Sequence, residues 1–274
     1  MGIDSIDWNT LWRECRNSRS NKGKGRADWD KKAASFARRN RGSSYSERLV
    51  DYIDPGPEET VLDIGAGPGT LALPLARRAK RVTALDFSEK MLEELQREAA
   101  AQGIDNIVVH HAAWEDDWQA LGIPPHDIAV ASRSMSVDDL EGALKKIDRW
   151  ALRRVVITDR VGSGPFDPDV FRAVGRAFSP GPDYIYTVNI LHRLGIYAGI
   201  DFMDAEFSKT YLSREEAVDS CLWMLEEINP EEQAAFDAFI ESRLTRLEDG
   251  SWQLKRAHTP KWAVISWEKV QPEV

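Results

Sequence analysis

The chain opens with three stretches of helical period and then changes to short apolar runs separated by helical segments. Over residues 4–17, Ile3, Trp8, Leu11, Trp12 and Cys15 fall close to one face, with Asp4, Asp7, Arg13 and Arg16 elsewhere, predicting an amphipathic helix that lies on the domain. Residues 17–25, rich in Ser, Asn, Gly and Lys, read as a linker. A second helix is expected from Asp28, where Trp29, Ala33, Phe36 and Ala37 share a face and Arg41-Gly42 stops it. A third, over 43–53, carries Tyr45, Leu49, Val50 and Ile53 and is broken by Pro55-Gly56-Pro57.

Strands are then expected at 60–64, 81–86, 106–111, 127–132 and 154–159, with helices near 70–79, 88–102 and 137–151 between them. That alternation is the signature of a parallel sheet with crossover helices. Pro74 requires the first of these helices to start late, near Leu71, or to kink. Ser88 is a suitable N-cap for the second, which places Met91, Leu92, Leu95 and Ala99 on one face. Beyond Arg160 the expectation is a loop at 161–166, helices at 168–178 and 183–195, a strand over 200–212, helices at 213–226 and 230–246, and a last strand from Trp262 to Trp267 after a turn at Asp249-Gly250. The resulting division is an N-terminal helical extension (1–44), an α/β core (45–160), a helical insertion with one strand (161–246) and a closing strand (247–274).

Composition narrows the class. No apolar run approaches the roughly 18 residues that cross a bilayer, so a cytoplasmic protein without a membrane partner is expected. Cys15 and Cys221 are too few for a disulfide framework and have no zinc-ligand spacing, so no metal site is expected. Net charge is −9, yet residues 13–41 hold 11 Lys/Arg against three acids, a local +8 that leaves −17 for the remainder. This stretch reads either as a solvated helix face and linker, the more frequent case, or as an arm for an anionic partner.

The chemistry concentrates in Val61-Leu62-Asp63-Ile64-Gly65-Ala66-Gly67-Pro68-Gly69-Thr70, an apolar strand ending on an acid and running into a glycine turn. No Gly-Lys-Ser/Thr follows, which excludes a P-loop. Thr70 stands where a dinucleotide fingerprint needs Gly or Ala, and the Asp63 charge would oppose a pyrophosphate. A cationic, phosphate-free ligand fits better.

In these residues the chain resembles the class I S-adenosylmethionine-dependent methyltransferases, whose first strand runs into Asp/Glu-x-Gly-x-Gly-x-Gly. The resemblance covers about residues 29–160 and implies a Rossmann-like, doubly wound, mostly parallel seven-stranded sheet with helices on both faces. It implies S-adenosyl-L-methionine as cofactor and S-adenosyl-L-homocysteine as product, held by Asp63, Gly65, Ala66, Gly67 and Gly69. It also implies Asp86 on the ribose hydroxyls, Phe87 and Met91 beside the adenine, and Ser132 at the fourth strand's end. Phe36 and Tyr45 are candidates for closing over the cofactor. After the third strand, His110-His111-Ala112-Ala113-Trp114-Glu115-Asp116 has no acid at Ala113, the position many relatives use for the adenine amino group. Either Trp114 packs on the adenine with a backbone amide or Glu115 as the polar contact, or Trp114 is a core aromatic.

The acceptor side is less legible. Arg133 is either a carboxylate or phosphate fork for the substrate or a partner of the acids at 137–141. His192, on a helix beside Tyr184, Tyr186 and Asn189, joins Arg133 as a candidate catalytic group; Tyr186 and Asn189 are candidate substrate contacts. Neither Asn/Asp-Pro-Pro-aromatic nor Pro-Cys follows the fourth strand, which weighs against base methylation. The expected activity is methyl transfer to a small molecule by in-line displacement, as a monomer or homodimer. The alternatives are an RNA or protein substrate recruited by the basic 13–41 arm, and a cofactor-binding protein without turnover.

Overall fold

The computed structural model describes residues 5–20, 25–40, 43–204, 210–225 and 227–269. Three helices come first: α1 (Trp8–Ser18), α2 (Arg26–Asn40) and α3 (Ser44–Ile53). The core follows as β1 (Thr60–Ile64), α4 (Ala72–Ala76), β2 (Arg81–Asp86), α5 (Glu89–Ala101), β3 (Ile107–His111), β4 (His126–Ser132), α6 (Leu140–Trp150) and β5 (Ala151–Arg160). The remainder is α7 (Pro168–Ala173), α8 (Tyr184–Arg193), β6 (Gly199–Asp204), β7 (Thr210–Tyr211), α9 (Arg214–Leu222), α10 (Pro230–Glu241), β8 (Leu244–Arg246), β9 (Trp252–Leu254) and β10 (Lys261–Glu268).

The main sheet has seven strands in the order β3-β2-β1-β4-β5-β10-β6. β1 to β5 are parallel and β10 is antiparallel to both β5 and β6. The order reverses between β1 and β4, and an open α/β sheet binds its ligand in the crevice that such a reversal opens at the carboxyl ends of the strands. Alternate side chains feed two cores. Val61, Ile128, Val130 and Val156 pack with Leu49, Ile53 and Leu75 on one face; Leu62, Ala129, Ala131 and Ile157 pack with Leu144, Ile147, Leu191 and Trp12 on the other.

Local sequence accounts for the helix starts. Ser88 accepts from the Met91 amide at 3.2 Å and Asp139 from the Gly142 amide at 3.0 Å. Leu71 caps α4, so Pro74 falls in its opening turn, where a missing N–H costs nothing. α1 begins at Trp8 rather than near residue 4, because Asp7 caps it by accepting from Thr10; Ile3 lies outside the described residues, as does the expected Arg41-Gly42 stop.

Beyond β5 the expected elements are redrawn. The strand expected over 200–212 is two strands in different sheets, with 205–209 outside the described residues. The helix expected over 230–246 stops at Glu241, because residues 244–246 turn into β8 and pair antiparallel with β9 across Asp249-Gly250. β7, β9 and β8 form a small second sheet over a separate core of Val170, Phe171, Phe236, Ile240 and Leu254. Among the described residues no helix is long and apolar enough to cross a membrane.

Candidate functional site

The carboxyl ends of β1, β2 and β4 converge on the glycine turn. The amides of Gly65 and Ala66 both donate to the Leu85 carbonyl, at 2.8 and 2.9 Å, which ties the turn to the end of β2. Gly65 has φ +72°, and a Cβ there would stand 2.4 Å from the Cβ of Ser134, whose hydroxyl donates to the Ile64 carbonyl at 2.6 Å. Gly67 differs: φ is +56°, yet a Cβ would meet nothing within 4 Å. Gly65 is therefore required by the protein's own packing, and Gly67 presents bare backbone to open space.

Two carboxylates stand beside this turn. Asp63 is buried at the end of β1, and its Oδ2 has no hydrogen-bond partner among the described residues. Burial, and then the neighbouring Asp86 charge, push its carboxyl up to about 7, only partly offset by the Ala72 amide. A buried, unpartnered acid oxygen of this kind is satisfied by a cation or a donor. Asp86 accepts from the Gly67 and Ser88 amides, each at 2.8 Å, and burial raises its pKa as well. Its two oxygens keep lone pairs for further donors. The Ser88 hydroxyl donates in turn to Asp30 of α2 at 2.6 Å, so the helical extension is fastened to the acid's own turn.

On the β3 side, Met91 is buried, Phe87 is half-buried, and the Phe87 carbonyl meets a ring nitrogen of His111 at 3.0 Å. The Trp114 indole donates to the Ser134 carbonyl at 3.1 Å and its ring lies 5.5 Å from that of Trp118. Glu115 is exposed, and the Ala113 amide is occupied by Asp116 at 2.8 Å. Lys146 of α6 reaches into this loop: its ammonium donates to the Trp114 carbonyl at 2.7 Å and sits 4.1 Å from the Trp118 ring centroid. Phe36 is half-buried on α2, edge-on to Trp29 at 5.5 Å.

Comparison with known proteins bears on this geometry. Residues 61–153 match a family model described as a methyltransferase domain. An uncharacterized protein of Haemophilus influenzae is 35% identical over 243 residues, which span 87% of this chain and 88% of that one. The 23S rRNA (uracil(1939)-C(5))-methyltransferase RlmD of Photobacterium angustum is 37% identical over 71 residues, 26% of this chain and 32% of its own. A SAM-dependent methyltransferase from Thiobacillus denitrificans, solved in complex with S-adenosyl-L-homocysteine, has the same fold: its TM-score is 0.55 at 15% identity, over 90% of this chain and 99% of that one. The chain belongs to the class I S-adenosylmethionine-dependent methyltransferases.

In this methyltransferase the ends of β4 and β5 carry a triangle of hydroxyls. Tyr45 donates to Thr158 Oγ1 at 2.9 Å and lies 3.2 Å from Ser132 Oγ, while Ser132 and Thr158 are 3.1 Å apart. Arg133 follows with φ +56°, a left-handed conformation that costs a non-glycine residue about 1–3 kcal/mol. Its amide holds that conformation by donating to Thr158 Oγ1 at 3.0 Å, and its guanidinium lies 4.8 Å from the centroid of Tyr45 and 5.9 Å from that of Trp262. The expected alternative partners of Arg133 are taken: Asp138 pairs with Arg16, Asp139 accepts from Asn9, and Glu141 pairs with Lys145.

The helix expected to supply substrate contacts turns a different face inward. Thr187 of α8 is buried and donates to the buried Asp159 at 2.7 Å, with Ile190 and Leu191 beside it. His192 is exposed, edge-on to Tyr197 at 5.7 Å, and Asn189 donates back to the Ile185 carbonyl at 2.7 Å. Tyr186 packs edge-on between Trp8 and Trp12 of α1, and burial followed by a hydrogen bond with Cys15 push its hydroxyl up to about 12. Asn189 and His192 lie some 200° and 140° around the helix from Thr187, at about 100° per residue. Asp30, Lys146, Thr158 and Asp159 were not expected from sequence, since each acts through a partner distant in the chain.

Proposed function

We propose that the chain transfers the methyl group of S-adenosylmethionine to a small-molecule acceptor held beyond Ser132 and Arg133. The observation that carries this reading is the closure of that end of the site. Ser20 and Ser179 exchange hydrogen bonds at 2.9 and 2.7 Å, the buried Arg19 donates to the Ser136 hydroxyl at 3.1 Å, and Arg160 donates to the Pro180 carbonyl at 2.6 Å. Segments from the N-terminal extension and from the insertion thus roof the ends of β4 and β5. A site narrowed in this way favours a compact acceptor over a polymer, with Arg133 left open to solvent at its mouth.

The floor suits the cofactor. The unpartnered Asp63 Oδ2 matches an ammonium or sulfonium, Gly67 leaves room where a side chain would intrude, and Asp86 offers lone pairs to a vicinal diol. When bound, S-adenosylmethionine supplies a methyl group already activated by its sulfonium. What remains for the protein is to orient and to exclude water, so no strong base is assigned. His192 and Asn189, on the outer face of α8, are given no part in it.

The basic arm supports an RNA substrate less well than its charge count suggests, because Arg16 pairs with Asp138 and Arg19 is spent inside the roof. The test is calorimetry with S-adenosylmethionine and S-adenosylhomocysteine, then labelled transfer into separated cell fractions. Micromolar binding and label in the low-mass fraction are expected. No binding at millimolar ligand would overturn the cofactor assignment; label in RNA or protein would overturn the acceptor class; and binding without transfer would leave a cofactor-binding protein.

A further inference from the structure

Two arginines near the ends of β4 and β5 have guanidinium groups that form no ion pair among the described residues. Arg133 stands just past the end of β4 and Arg160 closes β5, on strands that are hydrogen-bonded neighbours. Arg133 is exposed; among the described residues its guanidinium makes no hydrogen bond and is held by the Tyr45 and Trp262 rings. Arg160 is half-buried, with the Pro180 carbonyl as its side-chain acceptor. The acids around Arg160 are engaged elsewhere. Asp159 accepts from the Arg160 amide at 2.8 Å and from Thr187, while Asp183 caps α8 by accepting from Ile185 at 3.2 Å.

A guanidinium held over aromatic rings is fixed in place while its N–H edge stays available, the arrangement suited to a planar oxyanion gripped by two parallel hydrogen bonds. The left-handed backbone of Arg133, pinned by Thr158, roots this side chain at a fixed point one residue beyond the end of β4. Resting on the methyl-transfer reading, we infer that the acceptor carries a carboxylate anchored by Arg133, with Arg160 supplying a second positive charge to the same end of the site. Arg133 is a specificity-determining anchor and takes no proton. The carboxylate is not the methylated group, so the product keeps its charge.

The test uses the full chain, methyl-labelled S-adenosylmethionine and a low-mass metabolite extract. The labelled product should bind an anion exchanger at pH 8 and stay bound after phosphatase treatment. Arg133→Met should need at least tenfold more extract to reach half-maximal transfer, with its calorimetric Kd for S-adenosylmethionine within twofold of the unmodified chain. Arg133→Lys, which keeps the charge but not the fork, should fall between the two. A product that passes the exchanger, or Arg133→Met with an unchanged dependence on extract, would overturn the anchor. Loss of retention after phosphatase would overturn the carboxylate in favour of a phosphate ester. Failure of the unmodified chain to bind S-adenosylmethionine would instead sink the reading beneath it; binding with no labelled product would remove the acceptor and this inference together.

Discussion

Replacing Asp63 with Asn removes a buried charge that the fold holds at a cost. The carboxyl ionises near 3.8 in an unfolded chain and near 7 in the folded one, a difference worth about 4 kcal/mol. Because the folded value is the higher, the folded protein holds one more proton than the unfolded chain between about pH 4 and pH 7, and this contribution to stability falls as pH rises through that window. Burial raises Asp86 and Asp159 with the same sign. His126 works oppositely: fully buried against Thr83, it is depressed from 6.5 to about 4, so its contribution grows as pH rises through that range. The stability curve of the unmodified chain is therefore a sum of opposed slopes, and the informative quantity is the difference between Asp63→Asn and the unmodified chain, from which His126 cancels. Urea denaturation of the cofactor-free proteins at half-unit steps from pH 5 to 8 should show that difference shifting in favour of Asp63→Asn by roughly 2–3 kcal/mol. Calorimetry at pH 8 should show the variant binding S-adenosylmethionine at least tenfold more weakly. A difference that stays flat with pH would refute both the buried-charge argument and the reading of Asp63 as a cation partner.

Two glycines separate packing from ligand access. Gly65→Ala should destabilise by at least about 2 kcal/mol in thermal or urea unfolding, since its Cβ meets Ser134 at 2.4 Å, whereas Gly67→Ala should lose only about 1 kcal/mol and yet bind the cofactor at least tenfold more weakly. Tyr45→Phe removes the donor to Thr158 but keeps the ring beneath Arg133, so it should cost about 1 kcal/mol of stability and leave cofactor affinity within twofold by calorimetry. Lys146→Met should weaken cofactor binding several-fold by releasing the Trp114 carbonyl, with a change in tryptophan fluorescence from the neighbouring Trp114 and Trp118 rings.

The first strand, its acid and the glycine turn were legible because their signals are contiguous: they occupy adjacent residues from Val61 to Thr70, and Asp86 and Ser88 repeat the logic. The five parallel strands and the closing strand followed from apolar runs for the same reason. Side chains whose partners lie far along the chain were not. Tyr45 meets Ser132 across 87 residues, and Asp30 meets Ser88 across 58, with no local mark on either. For α8 a signal existed and was misread: polar tips at Tyr186, Asn189 and His192 drew attention, whereas Thr187 with Ile190 and Leu191, at i, i+3 and i+4, marked the inward face. In the second sheet, strands of two or three residues are too short for their period to show.

The roof also fixes an order in time. Trp12 of α1 donates to Val137 across 125 residues and Ser20 meets Ser179 across 159, so the first helix leaves the ribosome well before its seat exists. At about 5–20 residues per second, Trp12 waits roughly 6–25 seconds for Val137. Throughout that interval the apolar side of α1 is uncovered and open to chaperones. The contacts between the first helix and the insertion are then closed well after the glycine turn and the two acids beside it have been made.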